Sequence, residues 1–339
     1  MSDLLPLDRL RPYLRAHLPG LGDITGAEKT ATGQSNPTFI LHGDAGKLVL
    51  RRKPPGPLLK SAHAIEREYR VMAALADTDV PVPRMHLLCE DATVIGSVFF
   101  VMDHVEGVTQ NDPRCPGLSN ALRGALYDAM NATLVALHSV DVAQVGLQDF
   151  GRAEGYFARQ LGRWTAQYRQ SETAKRPDMD RLINWLGAHL PPEDGQSALV
   201  HGDWRLDNLL FDPATGAIKA VLDWELSTRG HPLADLAVQV MQWQMQTGPE
   251  GRGLAGVDRE ALGLPSDADY VALYAQRMGW DEIPDMRFPL AFAFFRMAAI
   301  LDGVKRRAME GNASNPESGA RMGAQIPVLI EKAHAAIGA

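Results

Sequence analysis

The stretch HGDWRLDNLLFDPATGAIKAVLDWE, residues 201–225, decides how the chain is read. It holds two apolar runs, Leu209–Phe211 and Ile218–Leu222, separated by DPATG, a cluster of turn formers. Short apolar runs around such a cluster predict an antiparallel hairpin. Centred near Thr215, the hairpin sets Asn208 opposite Asp223 to within a residue or two. Directly opposed residues in such a pair have Cβ atoms about 5 Å apart. Asp203 lies in the preceding loop, five residues before Asn208.

An amide oxygen and a carboxylate at that separation suit one hard cation. Mg2+ takes oxygen ligands and commonly combines one or two protein groups with substrate phosphates. The expected division of labour is that of phosphoryl transfer: Asp203 orients or deprotonates an acceptor hydroxyl, while Asn208 and Asp223 hold Mg2+ on ATP. Glu225 either reaches a second metal or is simply exposed. His201 reads as a hydrogen-bonding residue that shapes the loop rather than as a base. A second His-Gly-Asp, His42–Asp44, lacks this company. It falls between strand-like runs Thr38–Leu41 and Lys47–Arg51 and is expected at a hairpin tip, where Gly and Asp supply turn geometry. The GDAGK segment there has the wrong length for a phosphate-binding P-loop, and Leu48 follows the lysine where Ser or Thr is needed.

Further toward the N-terminus, SAHAIEREYRVMAALAD predicts a helix with Ser61 as its N-cap, stopped by VPVPR at Val80–Arg84. Its apolar stripe is Ile65, Tyr69, Met72, Leu75 and Ala76, and Glu68 falls inside that stripe. A carboxylate there needs a cation. Glu66 lies off the stripe, one turn before Arg70, and predicts a surface pair. The strand LVLRRK offers Arg51 and Lys53 on one face and Arg52 on the other. Either Arg51 or Lys53 is the candidate partner of Glu68 and contact for the nucleotide phosphates. Gly33, in the turn TATGQSNPTF, is a candidate for close backbone approach to phosphates.

The remaining pattern fits this division. VIGSVFFVMDHVEG predicts a strand ending near Met102, and a lobe boundary follows: residues 1–102 form one lobe and 103–339 the other. Helices are predicted over Leu118–Ser139, Ala153–Tyr168, Asp178–Leu190, Ala234–Gln246, Asp267–Met278 and Phe288–Arg307, with a glycine-rich loop from Thr247 to Pro265. The chain has 339 residues, 45% hydrophobic and 22% charged, an ordinary globular balance. A formal net charge of −7 argues against a broad nucleic-acid or anionic-membrane surface. Cys89 and Cys115 show no metal-ligand spacing and fit a reducing cytoplasm. The start MSDLLPLDRLRPYL lacks the features of a signal peptide, and Phe288–Ile300 is too short to span a bilayer.

HGDWRLDN, VLDWE and the series GQSN, LRRKPPG and IEREY resemble the aminoglycoside phosphotransferase family. The resemblance is closest to the branch related to the kinase-like domain of some acyl-CoA dehydrogenase family proteins, and it runs from about Thr25 to Asn312. It implies an α+β, protein-kinase-like fold: a small N-lobe with an antiparallel sheet and one helix, and a larger, mainly helical C-lobe. By resemblance Asp203 is the catalytic base and Asn208, Asp223 and Glu225 are metal ligands. Gly33, Ser35, Arg51, Lys53, Glu68, Phe100 and Met102 form the nucleotide site, with Phe100–His104 as the hinge beside adenine. Asp235, in GHPLADLA, anchors the loop after the metal site. The family's strand lysine falls on Arg51 here, and His231 stands where Asp is common.

The expected activity is therefore ATP- and Mg2+-dependent transfer of a phosphoryl group to a small-molecule hydroxyl, by a cytoplasmic monomer or homodimer. Three alternatives accompany it: a nucleotide-binding pseudokinase acting as a regulatory module, an antibiotic kinase of the aminoglycoside type, and a metal-dependent phosphohydrolase. No dense acidic cluster for a polycationic acceptor stands out in the helical half. Asp281, Glu282 and Asp285 read as a solvated face. Phe292, Phe294, Phe295 and Met297 read as core or as the wall of an acyl pocket. Arg296 and Lys305–Arg307 read either as contacts for CoA phosphates or as structural charges, namely a buried ion pair for Arg296 and favourable helix-end charges for the run.

Overall fold

The computed structural model describes residues 5–30, 36–54, 64–248, 252–311 and 316–338. Helix α1 (Leu7–His17) precedes strands β1 (Ile24–Lys29), β2 (Thr38–Gly43) and β3 (Gly46–Arg52). Helix α2 (Ile65–Leu75) follows, then β4 (Met85–Cys89) and β5 (Phe99–Asp103). The five strands form one antiparallel sheet in the order β1-β2-β3-β5-β4. Alternation along β5 sends its side chains to two cores. Phe99 and Val101 join Leu10 and Leu14 of α1 on one face; Phe100 and Met102 join Val71, Met72 and Leu75 of α2 on the other.

The hairpin between β2 and β3 turns at Asp44–Ala45, one step later than the sequence predicts. His42 pairs with Lys47 inside the ladder rather than at the tip. Helix α2 starts at Ile65 with Ala64 at its N-cap and no side-chain cap, while Ser61 lies outside the described residues.

Beyond Asp103 the chain is mainly helical: α3 (Asn120–His138), α4 (Tyr156–Ser171), α5 (Pro177–Ala188), α6 (Leu233–Gln244), α7 (Asp267–Arg277), α8 (Arg287–Met309), α9 (Pro316–Gly323) and α10 (Ile326–Ala336). Two small antiparallel pairs sit among them. One joins β6 (Ala198–Val200) to β9 (Thr228–Gly230), and the other joins β7 (Leu209–Phe211) to β8 (Ile218–Val221). Local chemistry sets the helix starts. Ser119 accepts a hydrogen bond from the Leu122 amide, so α3 begins at Asn120. Gly155 is left-handed at φ +63°, which delays α4 to Tyr156. The sequence reading did not place α1, α9 or α10; α1 carries Pro12 within it, which masks the helical pattern.

The main core is continuous from α2 and β5 into the helical part, and α8 runs through it. α8 packs against α4, α5, α6, α9 and α10. Phe292, Phe294 and Phe295 are buried there as core residues, and Phe294 has no exposed surface. The stretch from Thr247 is more ordered than a free connector. Gln246 bridges Ala255, Leu254 and Leu264 are buried, and a side chain at Gly253 would collide with the Met245 carbonyl. No helix among the described residues is long and apolar enough to cross a membrane. Replacing Phe294 by Ala is expected to cost about 3–5 kcal/mol of stability. Urea denaturation checks this through a lower midpoint; an unchanged midpoint would mean that Phe294 is not the core residue described.

Candidate active site

The ribbon formed by β7 and β8 pairs Leu209 with Val221, and the Leu222 amide donates to the Asn208 carbonyl at 2.8 Å. Asn208 thus faces Leu222, with Asp223 one residue beyond. Gly216 closes the turn at φ +78°, where a Cβ would stand 2.9 Å from the Leu126 amide nitrogen. Asp223 itself is left-handed (φ 64°, ψ 59°), a conformation that costs a non-glycine residue free energy and recurs at functional positions. It leads into a 3₁₀ turn, Trp224–Leu226, against which α2 packs. The Asn208 side-chain amide donates to Asp203 twice, to the backbone carbonyl at 2.9 Å and to Oδ2 at 3.2 Å. Its Oδ1 takes no part in these bonds. The three predicted residues therefore converge.

Asp203 is positioned from beneath. The buried Asp235 carboxylate accepts the His201 amide at 2.6 Å and the Gly202 amide at 2.8 Å. Its Oδ2 also meets His138 Nε2 at 3.2 Å. Burial works against the Asp235 charge, but His138, His201 and the Gly202 amide outweigh it and hold the carboxyl below its usual range. Asp235 thus anchors the loop that leads to Asp203, not the loop after Asp223 as the sequence reading had it. His201 is fully buried; its Nε2 meets the Leu222 carbonyl at 2.9 Å, so Nδ1 is the acceptor for the Asp203 amide at 3.3 Å. These two bonds tie the loop to the end of the ribbon. The His231 imidazole bonds Asp194 at 3.1 Å and accepts the Leu233 amide at 3.2 Å, a local arrangement at the start of α6.

The sheet meets this loop through Arg51. Its Nε lies 3.0 Å from Glu68 Oε2, and its Nη2 donates to Asp223 Oδ1 at 2.8 Å. Lys53 instead pairs with Glu66, and Arg70 reaches Asp149 and the Gly146 carbonyl. The predicted Glu66–Arg70 pair is thus absent: a helix-surface rule lost to partners supplied by other elements. Burial opposes the Arg51 charge, but Glu68, Asp223 and Glu225 together raise its pKa. Glu68 is fully buried and pushed up to about 7 by that burial; Arg51 pulls it back, while Asp223 and Glu225 push it further up. Three carboxylates thus share one guanidinium, an excess of negative charge that a cation relieves. Among the described residues no three His, Cys, Asp or Glu side chains form a ready-made metal cage. The oxygen donors present, an amide and carboxylates, fit an ion that fills its remaining positions with water and phosphate.

Phe100 is fully buried in the core, with its ring 6.2 Å from that of Tyr69. Met102 is also buried. Gly33 and Ser35 lie outside the described residues. One expectation about charges changes, while Arg306 and Arg307 lie in the last turn of α8 as helix-end charges. Arg296 makes no buried ion pair among the described residues; its Nη2 donates to the Gly202 carbonyl at 2.7 Å. In the Lys305–Arg307 run, Arg306 is tied to Glu310 at 2.8 Å and to the Gln170 carbonyl at 2.6 Å. Asp285 pairs with Arg287 on an exposed surface, as a solvated face should. Arg205 was missed by the sequence reading. Its Nε lies 3.0 Å from Asp203 Oδ1, and its Nη1 lies 3.3 Å from Asp207. Asp207 also accepts from Arg252 at 2.9 Å. The one available signal was its place two residues after Asp203.

The sheet, the helical remainder and this site define the kinase-like α+β class. The chain belongs to the phosphotransferase enzyme family, whose sequence model matches residues 27–272. It is 45% identical over 316 residues to acyl-CoA dehydrogenase family member 10 of Mus musculus, covering 92% of this chain but 29% of the mouse protein's length. A crystal structure from Ralstonia eutropha JMP134, assigned to the aminoglycoside phosphotransferases, aligns with a TM-score of 0.90 at 44% identity over 99% of both chains. Spectinomycin phosphotransferase, solved with ADP and spectinomycin, shares the fold at 14% identity, with a TM-score of 0.65 over 97% of this chain and 98% of that one.

The charge balance around Glu68 makes a pH prediction. Its folded pKa of about 7 stands above the ordinary 4.5, so between those values the folded state holds a proton that the unfolded chain releases. This contribution is full below the lower value and is lost as pH rises through the upper one. Thermal melting without metal or nucleotide should therefore show wild type losing stability across this window relative to Glu68→Gln. Parallel curves for the two proteins would contradict the assignment.

Proposed function

We propose that the protein transfers the γ-phosphoryl group of ATP, with Mg2+, to a hydroxyl group of a small molecule. The observation that carries this reading is the convergence of Asp203, Asn208 and Asp223 with the Arg51–Glu68 pair. In the proposed division, residues 1–102 form the nucleotide lobe and 103–339 the catalytic and acceptor lobe. Asp203, held by Asp235 below and Asn208 beside, accepts the proton of the attacking hydroxyl. Asn208 Oδ1 and the Asp223 carboxylate, with Glu225 nearby, would hold Mg2+, whose charge offsets that of the phosphate oxygens. Arg51 rather than Lys53 would contact the phosphates; its bonds to Glu68 and Asp223 support this choice, while Lys53 pairs with Glu66. Arg205, between Asp203 and Asp207, adds positive charge where the transferred group must pass. Most of the catalysis is then positioning and charge compensation by groups fixed in advance.

For the acceptor we favour a hydroxyacyl thioester of CoA or a similar metabolite, acted on by a cytoplasmic monomer or homodimer. The name of the mouse relative and the lack of a dense acidic acceptor patch support this over a polycationic antibiotic. Retention of Asp203, Asn208 and Asp223 favours an enzyme over a pseudokinase. The test is incubation with γ-labelled ATP, Mg2+ and separate panels of hydroxyacyl-CoA thioesters and aminoglycosides, followed by mass spectrometry. Label on a thioester hydroxyl supports the reading; nucleotide binding with no transfer to any hydroxyl leaves the pseudokinase. Asp203→Asn should lower transfer about 10²-fold or more while sparing ATP binding. Asp223→Ala should weaken the Mg2+-dependent part of nucleotide affinity, which calorimetry at varied Mg2+ measures.

A further inference from the structure

Arg296 interrupts a buried apolar stretch of α8, and the packing around it does not account for it. Its neighbours along α8 include Leu290, Phe292, Phe294, Phe295, Ala298 and Ala299, all buried. The guanidinium is half-buried and lies over the Trp164 ring of α4, 5.5 Å from its centroid. Its Nε is buried without a hydrogen-bond partner, and among the described residues it forms no ion pair. Holding a cation in such a place is unfavourable, and an apolar side chain of similar length would fill the site at less cost. The strong bond it does make goes to one atom, the Gly202 carbonyl oxygen, at 2.7 Å.

That oxygen belongs to the peptide unit joining Gly202 to Asp203. The other polar backbone groups around it are held from different directions. The His201 and Gly202 amides donate to Asp235, the Asp203 amide donates to His201, and the Asp203 carbonyl accepts from Asn208. Gly202 sits at φ +83°, and a Cβ there would stand 2.6 Å from the Leu226 carbonyl oxygen. The residue therefore cannot carry a side chain that would fix the peptide plane by itself. The Asp203 amide of the same peptide unit is held only by a long 3.3 Å bond to His201, and Arg296 adds the second and shorter restraint, on the carbonyl side, through a charge-assisted bond.

We propose that Arg296 is a positioning residue for Asp203: it fixes the plane of the 202–203 peptide and so aims the Asp203 carboxylate. The assignment rests on the phosphotransferase reading above. It makes α8 a working part of the catalytic loop, 94 residues away in sequence. Displacing an aligned base by a fraction of an ångström costs rate rather than nucleotide affinity.

The test uses Mg2+-dependent hydrolysis of ATP, with water standing in for the acceptor hydroxyl, and a double-mutant cycle with Asp203→Asn. Arg296→Met is expected to lower kcat about 30-fold with KM for ATP within about twofold. Arg296→Lys, which keeps a charged donor on a flexible stem, should lose only about threefold to tenfold. In the Asp203→Asn background both losses should largely vanish, because a residue that acts through Asp203 has nothing left to aim. Wild-type kcat in Arg296→Met, or losses that add fully to that of Asp203→Asn, would overturn the proposal. Should Arg296→Met fail to fold, Arg296→Lys decides by the same criterion: a loss that disappears without Asp203 supports it, and a wild-type rate or an additive loss overturns it. Absence of Mg2+-dependent hydrolysis in wild type, or none lost in Asp203→Asn, would overturn the phosphotransferase reading and this inference together. A loss confined to Asp203→Asn would remove this inference alone.

Discussion

The guanidinium of Arg51 joins the sheet and α2 to the β7–β8 ribbon, which lies more than a hundred residues further along the chain. Taking a charge out of water costs several kcal/mol per ion, and only well-placed opposite charges offset this. Glu68 comes from α2 and Asp223 from the end of the ribbon, at 3.0 and 2.8 Å. Both carboxylates offset the buried cation, and the pair ties the sheet and α2 to the ribbon electrostatically. The balance is still uneven. Three acids act on one arginine, and burial lifts Glu68 until it is ready to take a proton. The same excess of negative charge is what the proposed Mg2+ site would relieve.

Below the ribbon, one carboxylate does for the backbone what Arg51 does for the side chains. Asp235 collects two successive amides of the loop and an imidazole, and it stays charged although it has no exposed surface. Gly202 is required here by a contact rather than by a turn alone, since any Cβ would strike Leu226. The result is a loop whose polar groups are satisfied before any ligand arrives. A group fixed in this way would need little reorganisation in the proposed reaction.

The ribbon was legible because its evidence is local. Its apolar runs and turn residues set the register, and the register alone set Asn208 within one residue of facing Asp223. Glu68 was legible for a similar reason, as a polar residue in an apolar stripe that demands a cation. The choice between Arg51 and Lys53 was not, since alternation puts both on one face. Glu66 shows why: as soon as α2 lies against the sheet, Lys53 becomes its partner and Arg70 turns to Asp149. Arg205 and Arg296 were hidden for a related reason. Each is an unremarkable arginine until a contact, across two residues or across ninety-four, gives it a role.

By itself the sequence determined the ribbon and the acids at its mouth, because strand pairing and helical periodicity act over a few residues, and its resemblance to a known family implied the kinase-like class. Only the tertiary structure decided which cation meets Glu68, which loop Asp235 holds, and which carbonyl Arg296 binds. Those outcomes depend on distances between elements far apart in the chain. A buried charge takes the nearest compensating group in space, and no spacing along the sequence encodes which one that is.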